Sequence, residues 1–386
     1  MNFDLPEELL AIKRLAREFA EKEVKPTADA DDKAHRFRRD LVRKMGELGF
    51  LGCIIPEHYG GNGLGYQAVA ILCEEIARVH SSLRIIFAAN TLGPAVTIWR
   101  YGTTAAKKKY LPGLVSGELL GCFAITEPNA GSDVAAMTAR ARQEGDYYIL
   151  NGSKMWISLA PVADIALVYA YTDPAQKAKG MSAFIVDMYS EGITIDPIEE
   201  KLGNWASPVG AITFENVRIP KENLIGQEGQ GFKICMQQLD DTRLASAAGA
   251  LGVAQACLDA ALDYANTREQ FGQKIGQFQM IQDWIARMVV EIDAARLLTY
   301  RAAYLKDKGV PNTRETSMAK LFASEVANKC ADYALRIFSA YGYSEEYPVA
   351  RFFRDAKYYQ IVEGTSNIHK IILAQDALGY RKANRN

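Results

Sequence analysis

The 386-residue sequence predicts an α+β protein with three successive domains: an N-terminal all-α domain, a middle antiparallel β domain and a C-terminal four-helix bundle. Three observations indicate this order. Helical spacing of apolar residues dominates the first part, short β-rich runs begin at about residue 118, and the helical period returns near residue 230. We place the domains at residues 1–117, 118–230 and 231–386.

The first domain is predicted from apolar residues that fall on one helical face. The first such set is Leu9, Ile12, Leu15, Ala16 and Phe19. Two further helical runs lie near residues 66–79 and 82–99. The Gly-rich segment 60–65 lacks the GxGxxG spacing of a dinucleotide loop, and no strand-then-helix unit surrounds it. We therefore interpret this segment as a turn.

The second domain is predicted from short runs rich in β-branched and aromatic residues. They are residues 147–150, 165–172, 182–186, 193–195 and 211–214. Turn signals bound them at Asn151-Gly152, Asp173-Pro174 and Glu191-Gly192. Strands and turns at this spacing indicate an antiparallel sandwich or barrel.

The third domain is predicted from long amphipathic runs at the C-terminal end of the chain. They are residues 232–266, 276–307, 315–340 and 366–379. Four long helices joined by short loops are typical of a four-helix bundle.

Charge and cysteine content exclude several classes of protein. The chain has 45 Lys and Arg against 46 Asp and Glu, so it lacks the basic excess of a nucleic-acid-binding protein. It has no run of 18 uncharged apolar residues, so we expect no membrane span. The N-terminal segment lacks the apolar core of a signal peptide and is too acidic for a transit peptide. Six scattered cysteines form no CxxC pair, which predicts buried thiols, no metal site and a cytoplasmic location.

Two polar segments of the β domain are candidate ligand contacts. Residues 122–133 read CFAITEPNAGSD, and such a loop exposes backbone N–H groups to phosphate or ring oxygens. The alternative is an ordinary loop with an Asp cap. In residues 154–158, Trp156 and Ser158 can stack on a flat ring and bind its edge. The alternative there is a core Trp.

Two further segments lie among the C-terminal helices. Residues 268–272 read REQFG and break the helical pattern, and an Arg in this setting suits a phosphate contact. The alternative is a solvated turn. In residues 359–366, Glu363 follows an apolar run and precedes Gly364. Apolar surroundings raise the pKa of a carboxyl group toward that of a general base. The alternative is a surface Glu before a helix.

In this order, the four segments resemble the signature elements of the acyl-CoA dehydrogenase family. The resemblance covers essentially the whole chain and implies an FAD enzyme that dehydrogenates an acyl-CoA thioester. It also implies electron transfer to an electron-transfer flavoprotein and a homotetramer built as a dimer of dimers. One departure is Ser339-Ala340, where many members have Gly-Gly.

The resemblance implies a set of FAD contacts. Those that line the isoalloxazine are Phe123, Ile125, Thr126, Trp156 and Ser158. Those that reach the pyrophosphate and adenine of FAD in a neighbouring subunit are Arg268, Gln270, Phe271 and Gln279. Thr365 and Asn367 stand where the family contacts the cofactor from the other side.

The resemblance makes Glu363 the base that removes the substrate α proton. The thioester carbonyl accepts hydrogen bonds from a flavin ribityl hydroxyl and from the backbone N–H of Glu363. Some relatives carry the base at the position of Thr242, which has no basic group. The other substrate contacts implied are Ser132 for the pantetheine arm, Arg243 and Gly364.

Arg84 indicates which acyl group is bound. It lies inside the apolar run 81–89, and a buried charge needs an anionic partner. An Arg at this place resembles the glutaryl-CoA dehydrogenase branch, where it binds the distal carboxylate. Decarboxylating members carry Glu at the position of Ala77 and Tyr at that of Val362. We therefore expect glutaryl-CoA to give glutaconyl-CoA without loss of CO2.

The sequence leaves other interpretations of the substrate and of the reaction open. Arg84 can instead pair with a structural carboxylate or extend to solvent, and the substrate is then a monocarboxylic short-chain or cyclic acyl-CoA. A decarboxylating enzyme that gives crotonyl-CoA is a further alternative. So is an acyl-CoA oxidase, or a flavoprotein that has lost dehydrogenation.

Overall fold

The computed structural model describes residues 4–384, so the outermost residues of the first and third predicted domains lie outside the described part. Its helices and strands follow the predicted order of a helical part, a β part and a second helical part. The helices of the first part are α1 (Glu7–Phe19), α2 (Ala28–Lys33), α3 (Arg39–Glu47), α4 (Tyr66–Val79), α5 (Ser81–Asn90), α6 (Val96–Tyr101) and α7 (Thr104–Ser116).

The helices α4 and α5 form the centre of the first part. Every residue of α5 is buried, which explains why its sequence shows little amphipathic alternation. The Gly-rich segment 60–65 is a turn, as predicted, and it leads directly into α4. Gly61 cannot carry a side chain there, because a Cβ would lie 1.8 Å from the carbonyl oxygen of Ile55.

The middle part is one eight-stranded sheet with the order β6-β7-β3-β2-β4-β5-β8, in which β1 also pairs with β4. The strands are β1 (Gly121–Ala124), β2 (Arg140–Glu144), β3 (Tyr147–Ser158), β4 (Ile165–Tyr171), β5 (Met181–Asp187), β6 (Ile193–Pro197), β7 (Val209–Pro220) and β8 (Leu224–Ile225). All five predicted strands are present, and β3 and β7 extend well beyond the predicted runs.

The sheet is mainly antiparallel, as predicted, but β1 runs parallel to β4. Parallel neighbours need a long crossover connection. Here the loop after β1 and the β2–β3 hairpin supply it. Sequence periodicity reports only which face of a strand is buried, so it did not reveal this pairing.

The last part contains α8 (Gly231–Thr267), α9 (Gln279–Asp307), α10 (Thr313–Phe338), α11 (Pro348–Tyr358) and α12 (Ser366–Ala377). Four of these match the predicted runs, whereas α11 was not predicted. It begins at Pro348, a residue that favours the first turn of a helix. A hairpin of β9 (Glu269–Gln270) and β10 (Gln273–Lys274) joins α8 to α9.

The helix α8 is the central element of this part. By length and composition it could cross a membrane, but 83% of its most apolar window is buried inside the protein. Small residues bring it close to α4: a Cβ on Gly252 would lie 2.3 Å from the carbonyl oxygen of Glu74.

All six cysteines are buried and free, as predicted. Within residues 4–384, no cluster of potential metal ligands is present.

Candidate active site

A cavity of about 710 Å³ lies where the β sheet meets the C-terminal helices. Its walls come from strands β1 and β3, the loop 200–209, helix α8 and the connection between α11 and α12. Cavities of this size hold small-molecule ligands and cofactors. The predicted site residues that line it are Phe123, Ile125, Thr126, Ser132, Trp156, Ser158, Arg243, Glu363, Gly364 and Thr365.

Trp156 presents a broad aromatic surface to this cavity. Strand β3 is irregular between Lys154 and Ile157, and Trp156 has a left-handed φ of 61°. The side chain of Trp156 is 58% exposed. The alternative of a core Trp is therefore wrong, and a large exposed ring on a cavity wall is suited to stacking against a flat ligand.

A buried ion pair fixes the neighbouring segment. The Nζ of Lys154 donates to the carbonyl oxygen of Ile125 at 3.1 Å and to the Glu127 carboxylate at 3.0 Å. The same carboxylate accepts backbone N–H bonds from Thr138 and Ala139. A buried pair with all these partners is rigid, so it holds the segment 125–127 in place beside the cavity.

Glu363 lies in the connection between α11 and α12. Its φ is 57° and that of Gly364 is 84°, so two consecutive residues are left-handed. This conformation is costly for a non-glycine residue and persists only where surrounding contacts enforce it. The carbonyl oxygen of Glu363 accepts from Arg243 Nε at 3.3 Å and lies 3.2 Å from His369 Nε2.

The Glu363 carboxylate faces the cavity and is held by Thr242. The hydroxyl of Thr242 donates to Glu363 Oε2 at 2.5 Å. Burial raises the pKa of Glu363, while the Thr242 hydrogen bond and the charges of Arg243 and Lys320 oppose the rise. A carboxylate with a raised pKa at a cavity wall can act as a general base. The alternative of a surface Glu does not fit this placement.

Arg84 lies behind the cavity wall rather than in it. The residue is 3% exposed, and its Nε and Nη2 have no hydrogen-bond partner. Its Cζ lies 4.9 Å from the centroid of the Tyr359 ring. Within residues 4–384 the structure pairs it with no carboxylate, and its burial keeps it from solvent. Both alternatives for Arg84 therefore fail, and an unpaired buried cation favours an anionic ligand.

Gly249 of α8 has no side chain, and Arg84 occupies the space that a side chain at this position would fill. A Cβ at this glycine would lie 2.5 Å from Arg84 Nε and 2.9 Å from the Tyr359 hydroxyl. That hydroxyl also lies 2.8 Å from Ser81 Oγ. The guanidinium is thus held by packing and by an aromatic ring, with no carboxylate of residues 4–384 at ion-pair distance.

Five predicted cofactor residues do not line the cavity. Four of them, Arg268, Gln270, Phe271 and Gln279, lie in or near the β9–β10 hairpin. Phe271 is 94% exposed at the tip of that hairpin. Asn367 is exposed in the first turn of α12. These residues are accessible to a ligand or a second chain, but they do not join the cavity of their own chain.

Several residues around Glu363 were not among the predicted site residues. Thr242 was considered only as the position where some relatives carry the base, and was given no role; in the structure it donates a hydrogen bond to Glu363. Lys320 and His369 contact the backbone of the Glu363 segment. The sequence feature that could have pointed to this cluster is Lys320 itself, a lysine among the buried apolar residues of α10. A cation at such a position needs buried acceptors.

Three family models match the chain, and together they cover most of it. They describe the N-terminal, middle and C-terminal domains of acyl-CoA dehydrogenases and match residues 6–118, 122–217 and 229–378. Among curated relatives, a glutaryl-CoA dehydrogenase of Desulfococcus multivorans is 52% identical over 390 residues, covering 100% of both chains. A mitochondrial short-chain specific acyl-CoA dehydrogenase of Rattus norvegicus is 44% identical over 97% of this chain and 90% of its own.

Solved structures with the same fold also include acyl-CoA dehydrogenases. A glutaryl-coenzyme A dehydrogenase in complex with glutaryl-CoA superposes with a TM-score of 0.99 at 52% identity, covering 100% of this chain and 99% of that one. PigA with FAD and proline superposes with a TM-score of 0.94 at 30% identity, covering 98% and 99%. From its sequence, its fold and the arrangement of its cavity, the chain belongs to the acyl-CoA dehydrogenase family.

Proposed function

We propose that the protein is an FAD-dependent dehydrogenase of glutaryl-CoA. The observation that carries the choice of substrate is Arg84, a buried guanidinium beside the cavity-lining Ile85 that forms no ion pair with a carboxylate of residues 4–384. A dicarboxylic acyl group supplies the missing anion. The 52% identity to a glutaryl-CoA dehydrogenase supports this choice.

The cavity fits FAD. Trp156 offers a stacking surface, and the hydroxyls of Thr126 and Ser158 stand on the same walls. We propose that these residues, with Phe123 and Ile125, hold the isoalloxazine. When bound, FAD would supply the acceptor for the hydride that leaves the substrate β carbon.

Of the remaining proposed FAD contacts, Thr365 lines the cavity and the others do not. Thr365 and Asn367 would contact the cofactor from the α12 side. The exposed hairpin would reach the cofactor of a neighbouring subunit through Arg268, Gln270, Phe271 and Gln279. The exposure of Phe271 supports a role for this hairpin outside its own chain.

The protein's own residues would carry out the proton transfer. The Glu363 carboxylate takes the α proton as the β hydride departs, which leaves an α,β-double bond in the thioester. The backbone N–H of Glu363 stabilises the developing charge on the thioester oxygen. Thr242 and Arg243 orient Glu363, Gly364 leaves room for the acyl chain, and Ser132 contacts the pantetheine arm.

The first experiment is a visible spectrum followed by anaerobic titration. We expect the spectrum of bound flavin, and bleaching of its absorbance by glutaryl-CoA at lower concentration than by butyryl-CoA. Preferential bleaching by butyryl-CoA would favour the second candidate, a short-chain dehydrogenase, to which the 44% identity with such enzymes points. Absence of flavin would contradict the proposal altogether.

We also propose that dehydrogenation stops at glutaconyl-CoA. Decarboxylation breaks the bond between the γ carbon and the carboxylate. The electron pair of that bond moves into the conjugated thioester and neutral CO2 leaves, so Arg84 loses its anionic partner. Losing that ion pair in a desolvated site costs a few kcal/mol, and each 1.4 kcal/mol slows a step about tenfold. Ala77 and Val362 offer no side-chain hydrogen bond that would draw Arg84 away.

Product analysis after anaerobic turnover with an artificial acceptor tests this prediction. We expect glutaconyl-CoA to accumulate. Crotonyl-CoA with stoichiometric CO2 from the purified enzyme would contradict it. The double variant Ala77→Glu, Val362→Tyr should form some crotonyl-CoA. Because Ala77 packs closely against Gly252, its FAD content should be measured alongside.

The proposed function also includes an oligomeric state, an electron acceptor and a cellular location for the enzyme. We propose a homotetramer, a dimer of dimers, that passes electrons to an electron-transfer flavoprotein in the cytoplasm. Exposed apolar side chains along α9 support self-association; they are Met280, Val289, Val290 and Leu297. We also propose domain limits at residues 117 and 230, as the sequence predicts.

A further inference from the structure

Lys320 is a fully buried lysine directly behind the Glu363 segment. It lies in the N-terminal third of α10 and is 0% exposed. Its Nζ donates to the carbonyl oxygen of Tyr359 at 2.7 Å and to that of Gly364 at 2.7 Å. These two acceptors stand at the two ends of the segment 359–364. One ammonium group therefore joins the exit of α11 to the entry of α12.

This contact closes the loop that carries the candidate base. Glu363 and Gly364 are both left-handed, so the segment needs external bonds to keep its shape. Lys320 holds the Gly364 carbonyl, and Arg243 holds that of Glu363. Of these donors only Arg243 lines the cavity. Lys320 does not line the cavity, so it acts on Glu363 through the backbone of the segment and through its charge.

The pairing of Lys320 differs from that of the other fully buried lysine. Lys154 has the carboxylate of Glu127 at 3.0 Å. Within the described part of the chain, Lys320 has carbonyl acceptors and no carboxylate at ion-pair distance. A structural lysine is normally neutralised by such a partner. The positive charge of Lys320 is therefore not neutralised by a carboxylate of the described residues at ion-pair distance, and it acts on the charged groups nearby.

The charged groups around this cluster come from several helices. Burial lowers the pKa of Lys320 to about 7, a shift that Glu363 and Glu325 oppose and Arg243 reinforces. On α12, burial lowers the pKa of His369 to about 3, so this ring is neutral. Glu363 itself faces the charges of Arg243, Lys320 and Arg84 and the hydroxyl of Thr242.

We propose that Lys320 is a positioning residue for Glu363: it ties the two ends of the 359–364 segment together and favours the ionised carboxylate through its charge. The proposal rests on the proposed function of Glu363 as the base. Among the described residues, the hydrogen bonds of Lys320 go to the backbone of this segment, and Lys320 does not line the cavity.

The test is the pH dependence of flavin reduction by glutaryl-CoA in Lys320→Met, which keeps the length of the side chain and removes its charge and donors. Loss of a nearby cation raises the pKa of Glu363, so the base is ionised only at higher pH. We expect the ratio of wild-type to variant rate to grow as the pH falls from 9 to 6, by up to about tenfold for each unit by which the pKa of Glu363 rises. FAD content and the half-saturating glutaryl-CoA concentration should change little.

Lys306→Met is the matched control. Lys306 is also largely buried, but it pairs with Asp241 at 2.9 Å and has no contact with the 359–364 segment. Its removal should lower thermal stability without changing the pH profile. If Lys320→Met does not fold with FAD, Lys320→Gln carries the same test, because it also removes the charge.

The outcomes separate this proposal from the proposed function. A constant rate ratio across pH in the Lys320 variants, with reduction abolished in Glu363→Gln, would overturn the role of Lys320 alone. The role of Lys320 is supported if the rate of flavin reduction rises at higher pH in the Lys320 variants than in the wild type, while Lys306→Met keeps the wild-type pH profile. Persistent reduction in Glu363→Gln would instead overturn the assignment of the base.

Discussion

Glu363→Gln should keep bound FAD and slow flavin reduction by at least about a thousandfold, within the range that a general base contributes. The reason is geometric. The Glu363 carboxylate faces the cavity, Thr242 donates to one of its oxygens at 2.5 Å, and burial raises its pKa. The amide of Gln keeps the size of the side chain but cannot accept the α proton. Rapid-mixing absorbance of the first reduction step measures the loss.

A second carboxylate on the same cavity provides the control. Glu200 lines the cavity from the loop before β7 and is exposed. It has no contact that places it as a base, so Glu200→Gln should change the reduction rate less than about threefold, within the small effect expected of a surface substitution. Near-normal reduction in Glu363→Gln, with a large loss in Glu200→Gln, would move the base to the loop 200–209.

Arg84→Met should weaken turnover of glutaryl-CoA by on the order of a hundredfold, because a charge-assisted pair to a desolvated carboxylate is worth several kcal/mol. Turnover of butyryl-CoA should be unchanged or improve, since Met removes an unpaired buried cation. The ratio of kcat/KM for the two substrates is the measurement. Equal losses for both would assign Arg84 a structural role and favour a monocarboxylic substrate.

Arg78→Met is the matched control for this substitution. Arg78 lies on α4, near Arg84 in the chain, but its guanidinium pairs with Asp259 at 2.6 Å. Its removal breaks a partly exposed structural pair and leaves the cavity wall intact. It should therefore lower stability slightly and affect both substrates equally. A selective loss of glutaryl-CoA turnover in this variant would contradict the assignment of Arg84.

The sequence by itself determined the order of secondary structure and part of the cavity wall, whereas the loop 200–209 was not among the predicted site segments. Helical and strand periodicity result from local burial, so α1, α4 and the long C-terminal helices were predictable. The cavity-lining segments around Thr126, Trp156 and Glu363 were predictable because each is a short, contiguous motif. The helix α11 and the parallel pairing of β1 with β4 were not, because a short helix lacks a long period and pairing depends on chain crossover.

Only the tertiary structure decided which groups act on Glu363 and whether Arg84 has a partner. Thr242 lies 121 residues before Glu363 and Lys320 lies 44 residues before Gly364, yet both are hydrogen-bonded to this segment. The sequence indicated that Arg84 is buried, but its counter-charge could lie anywhere in the chain. Its unpaired state follows from the packing of α5 against α8 and Tyr359. Electrostatic partners are set by distance in space, which a linear pattern does not encode.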